Sequence, residues 1–597
     1  ISGHGGWPMS VFMTPDKKHF FGGTYFPNTR RYNMPSFKDV LTSVNRLYTE
    51  KKEDVLKDID IIVANLQHIN EFKPVEGELS AAPINKALVQ LENYFDSYNG
   101  GFGQQPKFPN TFNLELFLRK YQNTKERKYL DMVELTMKKM SNGGIYDHLG
   151  GGFFRYSVDD HWLIPHFEKM LYDNALLIKL LLEVYQITGN IFYRDKASES
   201  LEYVIREMTQ ESGGFYSTQD ADSEGEEGKF YAWKFDEITD ILGTKDGEIF
   251  CKYYGVTKHG NFEHGKSNLN VEQTVSELAK ELKLNVDELS ESIKKSKNIL
   301  FDLRTKRVYP GKDTKILTSW NGLMISTFVK GYQVLKNDKY LEIARKSVNF
   351  IFENLYNIPL TPFKGGASQE TSFQECLLRR SYKDEQAKFN AYLEDYTFLT
   401  DALIDLYQAT LEDKWLEKAK ILNQTTIDQF WDEKDGGFFF TGKNHEELIV
   451  RTKEIVDHSI PAANTVAVKN LLRLARLTEN KEFVNKAEQT FKTFSTTISK
   501  YSTGVSSMLC ALDYHLKSPM DAVLVGKNLE EIKPFIEKLN ESFNPEMLIY
   551  FLNTEKQDLS LEIHKEKVSI SEKPTAYICH NFVCLKPVTS SEEIKVK

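Results

Sequence analysis

Between Ile84 and His515 one helical signature recurs: an aromatic residue followed four positions later by alanine or valine. It occurs at Tyr129 with Val133, Tyr193 with Ala197, Tyr340 with Ala344, Trp415 with Ala419, and Phe483 with Ala487. Four-residue spacing puts both side chains on one helical face. Successive occurrences lie 64, 147, 75 and 68 residues apart, so every interval but one is a helix-pair length. Another amphipathic helix precedes each across a short turn, as Leu177, Leu181 and Val184 illustrate. First helices are predicted to start near Thr111, Pro165, Ser319, Ala391, Pro461 and Val505, and second helices near Ile84, Lys125, Ile191, Asp338, Asp413 and Asn480. All pair only if the first, Ile84 to Asp96, packs on the last, Val505 to His515, which closes an (α/α)6 toroid. The alternative, an open superhelix, needs polar capping repeats at both ends.

The loops favour closure. Glycine pairs follow second helices at Asn99-Gly100-Gly101-Phe102, Asn142-Gly143-Gly144-Ile145, Ser212-Gly213-Gly214-Phe215 and Asp435-Gly436-Gly437-Phe438. Each permits a sharp reversal with an apolar residue tucked beneath it. Long loops then gather at one end and short turns at the other. The long interval holds an insertion near 213–318, with an acidic run from Asp220 to Glu227, a short strand at Phe230 to Trp233, and a Glu- and Lys-rich helical stretch from Ser276 to Lys297.

Both flanks read as α/β. Met9 to Met13 and a strand through Phe20 and Phe21 flank a Pro/Asp turn, and Ser36 caps a helix with Phe37, Val40, Leu41 and Val44 on one face. At the other end, Ala522 to Val525, a helix over Ile532 to Leu539, and Met547 to Leu552 make a small unit.

The run GGWPMSVFMTPDKKHFFGGTYFP resembles the C-terminal half of a thioredoxin-like domain, with Trp7-Pro8 where that fold places its cis-proline. More closely it resembles the family of spermatogenesis-associated protein 20 and its bacterial relatives. The segments GGIYDHLGGGFFRYSVDDHWLIPHFEKMLYDN, GGFYSTQDADSEGEEGKFYAW, TSWNGL and LEDY extend that resemblance through the helical region. The resemblance implies a redox-type Cys-x-x-Cys segment upstream of Ile1, and no cysteine precedes Cys251, so a dithiol activity does not carry over. It also implies kinship of the helical part with six-hairpin glycosidases and N-acylglucosamine 2-epimerases. The expected fold class is mainly α: an (α/α)6 toroid over 80–517, a partial thioredoxin-like α/β segment over 1–75, and a small α/β unit over 518–597.

Candidate chemistry concentrates in Asn142 to Asn174. Pro165 suits the first position of a helix, which would put His166 and Glu168 on its first turn, where the dipole favours neutral imidazole and ionised carboxylate. Asp173 shares a face with His166. Other inner-helix starts contribute Asp395 beside Glu394, and His458 beside Asn464. His166, Glu168, Asp395 and His458 are the catalytic candidates; His148, Asp159, Trp320, Asn321 and Lys107 are the substrate-binding ones. Each also has a structural reading: Lys107 pairing with a carboxylate, Trp320 packing, Asp395 capping, His458 satisfied within a loop. Asp220 and Asp222 have metal-ligand character, but an acidic run usually faces solvent, so no metal and no cofactor are expected.

A net charge of −9 argues against a nucleic-acid partner, and the longest apolar run, Ala175 to Leu182, is too short for a membrane. Five cysteines make no disulfide scaffold, which favours a reducing, cytoplasmic setting. Abundant aromatics, 12% of residues, suit a cleft that stacks a sugar-like small molecule. Two functions compete. In the first, the mouth acts on a sugar, by proton transfer between bases such as His166 and His458, or by hydrolysis with Asp159 or Glu168 opposite Asp395. In the second, the chain is a redox-linked or ligand-binding protein without turnover.

Overall fold

The computed structural model describes residues 6, 8–31, 34–357, 377–556, 561–581 and 583–595. Twelve helices form a double ring: α1 (Ala82–Tyr94), α2 (Thr111–Thr124), α3 (Arg127–Asn142), α4 (Leu171–Thr188), α5 (Ile191–Glu207), α6 (Thr318–Leu335), α7 (Asp338–Asn354), α8 (Leu393–Thr410), α9 (Asp413–Phe430), α10 (Ala463–Thr478), α11 (Lys481–Lys500) and α12 (Ser506–Leu516). Even-numbered helices make the inner ring, each touching the next, and α12 closes on α2. α1 packs on α12, the pairing that closure requires. Packed on three sides, an inner helix such as α8 buries Leu393, Phe398, Leu399, Leu403 and Leu406, whereas the outer helices keep one polar face. Two-residue turns join five inner helices to their outer partners, each opening on a left-handed residue: Lys125, Gly189, Lys336, Leu411 or Glu479, with φ from +53° to +66°.

The loops at the opposite end share a deeper repeat than glycine pairs. Asp96, Asp147 and Asp432 each stand four residues before a Gly-Gly-Phe, and both glycines of each pair are left-handed, with φ between +71° and +81°. Each aspartate pairs with a buried lysine: Lys107 at 2.6 Å, Lys169 at 2.8 Å and Lys453 at 2.6 Å. In the second and third of these loops the phenylalanine is then clamped by an asparagine that opens the next inner helix. Phe153 and Phe438 donate backbone N–H to Asn174 and Asn464, both at 2.8 Å, and Phe215, after Gly213-Gly214, does the same to Asn321. Each asparagine donates back to the same residue's carbonyl, as a β-bridge would. The second repeat member is therefore Gly151-Gly152-Phe153, not Gly143-Gly144. At Gly144 the need is close approach, since a Cβ would lie 2.0 Å from the Leu163 carbonyl oxygen.

α4 begins at Leu171, six residues beyond the predicted start. Pro165–His166 pairs instead with Tyr156–Ser157, and Lys169–Met170 with Thr218–Gln219. These short strands hold the backbone extended through the stretch that the proline would otherwise have opened as helix.

The insertion contains four helices, Phe235–Leu242, Thr244–Tyr253, Val275–Leu282 and Val286–Arg304, around a core of its own that includes Trp233, Phe250, Leu278 and Leu300. The Glu- and Lys-rich stretch is thus helical with one buried face. A second elaboration, the hairpin Leu377–Lys383 with Gln386–Asn390, pairs with Ile316–Leu317. No alternation in the sequence had suggested it.

At the N-terminus, Ser10–Met13 pairs antiparallel with His19–Gly23, and Ser36 with Asp39 makes a capping box for Phe37–Glu50. Trp7 lies outside the described residues. In the C-terminal unit, Met520–Gly526 is central, parallel to Met547–Asn553 and antiparallel to Thr575–His580. Cys579 and Cys584 face each other across antiparallel strands and form a disulfide, which the cysteine spacing had not suggested. This unit covers the short-turn end of the toroid: Gln408 of α8 exchanges two hydrogen bonds with the Ile549 backbone, and Gln186 of α4 donates to the Asn540 carbonyl.

Two aspartates, Asp395 buried and Asp457 partly buried, bracket adjacent inner helices at the loop end. Asp457 accepts from the backbone of Ala462 and Ser507, and Asp395 from that of Ser319 and Tyr392. Burial pushes the Asp457 carboxyl up to about 6, above its ordinary value, so its neutral form is the stabilising one and the advantage fades as pH rises through 6. Asp457→Asn should therefore gain about 1 kcal/mol relative to wild type between pH 5 and 7.5. Denaturation midpoints at the two pH values check this; a difference independent of pH would contradict it.

Candidate functional site

Where the inner helices begin, a pocket of ≈ 440 Å³ opens between the Phe102–Phe112 segment and the start of α4. Tyr94, Phe108, Arg155, Asp173, His458 and Ser459 share its wall. Arg155 follows the second Gly-Gly-Phe and is aimed by Glu168, which accepts its Nη1 at 2.7 Å and its backbone N–H through the main-chain carbonyl. Its Nε is buried and unpartnered. Asp173, on the first turn of α4, is partly buried, and its Oδ2 is shielded from solvent with no hydrogen-bond partner. Desolvation, opposed by Arg155 and assisted by Glu168, holds its carboxyl well above the usual range, which favours its protonated form.

His166 and Glu168 stand beside this pocket as a relay that fixes Arg155. His166 places Nδ1 2.7 Å from Glu227 Oε1 and Nε2 3.7 Å from Glu168, with its ring stacked on Tyr156. Glu168 chiefly, then Glu227, raises the imidazole above its ordinary value, while His166 and Arg155 lower Glu168. This reverses the expectation of a neutral imidazole: the residue is on a strand, away from any helix N-terminus, and between two carboxylates.

On the next inner helices, Trp320 meets Tyr172 edge-on at 4.7 Å and stays partly exposed. Arg380, from the unforeseen hairpin, reaches Glu394 at 2.9 Å and Asp395 at 3.2 Å. Asp395 is fully buried; burial pushes it up to about 7 against the pull of Arg380. Its oxygens already hold Ser319, Tyr392 and Arg380. His458 is exposed on the pocket wall.

The remaining predicted residues serve the fold. Lys107 is fully buried between Asp96 and the Asp160 carbonyl, as one of the three repeated Asp–Lys pairs. Asn321 is one of the three asparagine clamps. Asp159 accepts the backbone N–H groups of His161, Leu163 and Ile164 and shapes the loop. His148 is buried against Tyr146 and Tyr254 with Nε2 on the Gly143 carbonyl, and burial lowers it to about 3. Arg155 and Asp173, which were not among the catalytic or binding candidates, are both in the motif; their signal is position, two residues after the Phe of the second Gly-Gly-Phe and immediately before the clamp asparagine. Among the described residues, no group of three or more His, Cys, Asp or Glu could hold a metal ion, and no helix is long and apolar enough to cross a membrane.

Comparison with known proteins gives three results. Residues 1–67 match a domain family described as Thioredox_DsbH, a protein of unknown function, DUF255. Human spermatogenesis-associated protein 20 is 31% identical over all of this chain and 79% of its own length, and an uncharacterized protein of Caenorhabditis elegans is 32% identical over all of this chain and 84% of its own. Among solved structures, a D-mannose isomerase is similar at 12% identity, covering 73% of this chain and 96% of that one, with a TM-score of 0.47.

Proposed function

This chain belongs to the spermatogenesis-associated protein 20 family, and from its toroid mouth we propose that it binds a reducing sugar and moves a proton beside the sugar's carbonyl. The observation that carries the proposal is the shared wall of Arg155, Asp173 and His458, in a pocket whose other faces include Tyr94 and Phe108. Aromatic rings accept the apolar face of a sugar. Arg155, held by Glu168, offers its guanidinium to the carbonyl oxygen. His458 takes the proton from the adjacent carbon while protonated Asp173 gives its proton to the oxygen; the enediol then collapses to the isomeric sugar as His458 returns its proton to the former carbonyl carbon and Asp173 takes the proton of the neighbouring hydroxyl. Hydrolysis is less well supported, because Asp395 has its oxygens engaged by Arg380 and two backbone N–H groups.

A second reading, ligand capture without turnover, draws support from the continuous pairing of Arg155, Glu168, His166 and Glu227. Calorimetric titration with aldoses, ketoses and N-acylated 2-amino sugars, alongside chromatographic analysis of products, separates the two. Saturable binding with interconversion of sugars is expected. Binding without interconversion across the panel would leave only the second reading, and no binding would remove both.

A further inference from the structure

Beneath the mouth, the lumen of the inner ring holds a cavity of ≈ 240 Å³, with Leu539 to Ile549 of the C-terminal unit contributing its far wall. The two cavities share Thr111, Phe112 and Leu176 but no charged residue. Four inner helices send ionisable pairs into the lumen at four-residue spacing, which places both members of each pair on one face. Three cations have carboxylate partners: Arg119 on Glu115 at 3.3 Å, Lys469 on Asp401 at 2.9 Å, and Arg473 on Asp405 at 2.6 Å. That leaves Lys179, Glu183 and Lys330 lining the cavity. Lys179 and Lys330 have no carboxylate within 4.0 Å among the described residues.

We propose that this lumen is a second binding compartment, built for the oxyanion group, phosphate or carboxylate, of a small polar metabolite. Two ammonium groups against one remaining carboxylate leave the cavity with an unmatched positive charge. A partly buried cation without a partner is costly unless a counter-ion or solvent meets it. The unused hydrogen bonding includes donors of the right kind. Thr465, 4% exposed, lines the cavity with an unpartnered hydroxyl, and Asn544 on the floor has an unpartnered Nδ2. The volume is that of about eight waters, enough for a phosphate or a four-carbon diacid with its hydration. The compartment gives the C-terminal unit a role, as the floor of a binding chamber. It does not depend on whether the mouth turns over a sugar.

Titration of the full chain with inorganic phosphate and, separately, succinate at constant ionic strength tests the proposal. At least one should bind saturably, and which one does identifies the group. Lys330→Gln should weaken binding about tenfold, the loss of one hydrogen bond to a charged group. Thr465→Val should weaken it about threefold, and the exposed Lys245→Gln should leave it unchanged. If Lys330→Gln fails to fold, Thr465→Val carries the test. No saturable binding of either anion, or binding that the lumen variants leave intact, would overturn the proposal.

Discussion

Asp147→Ala is expected to cost about 3–5 kcal/mol of stability, because it strands two buried cations. Asp147 receives Lys169 at 2.8 Å and Arg304 through both guanidinium nitrogens at 2.7 and 2.9 Å, while also accepting the backbone N–H groups of Leu149 and Gly150. None of the three side chains is more than 5% exposed. Lys169 lies among the rings of Tyr203, Phe154 and Tyr231, and burial lowers it to about 8. Without the carboxylate, only the rings and the Gly151 carbonyl would face an ammonium and a guanidinium at close quarters. The loss spreads beyond the triad, since Arg304 ends a helix of the insertion and Lys169 follows Glu168, which aims Arg155. Lys169→Met keeps the Asp147–Arg304 pair and should cost less, and the double variant should recover part of the loss of Asp147→Ala. Urea denaturation followed by circular dichroism measures this; a midpoint unchanged in Asp147→Ala would contradict the assignment.

The second large effect is on turnover. Asp173→Asn should lower kcat by about 10²- to 10⁴-fold, the usual contribution of a positioned proton donor, while ligand affinity changes little. The amide matches the carboxylic acid in shape but cannot give up a proton. Because desolvation holds the native carboxyl well above its ordinary value, the active protonated form is favoured and is lost as pH rises through the folded value. Wild-type activity should therefore show an alkaline limb that the variant lacks. A parallel fall in affinity would assign Asp173 to binding instead.

The ring was readable because its evidence is periodic. Aromatic–alanine or –valine spacing located the second helix of five pairs, and a two-residue turn precedes each of those helices. The site was less readable because the interactions that sort its residues span distant segments. Sequence offered Lys107 both as a ligand contact and as a carboxylate's partner; its repetition as Asp96–Lys107, Asp147–Lys169 and Asp432–Lys453 favours the second. Asn321 is the same case, repeated by Asn174 and Asn464. His166 was placed on a helix by the local preference of Pro165, which strand pairing with Tyr156 overrides. Arg380 arrives on a hairpin that no local pattern announced. Asp173 was visible in the motif, but its value lies in a missing partner, which a sequence cannot display.

The account rests on proton transfer at the mouth, and deuterium exchange measures that step directly. Incubating the protein in D₂O with each reducing sugar of the panel, followed by proton NMR, should show loss of the signal from the carbon beside the carbonyl for at least one sugar. Asp173→Asn and His458→Ala should slow that loss by orders of magnitude. A sugar that binds the mouth saturably yet keeps its full proton signal, in wild type as in the variants, would contradict the account.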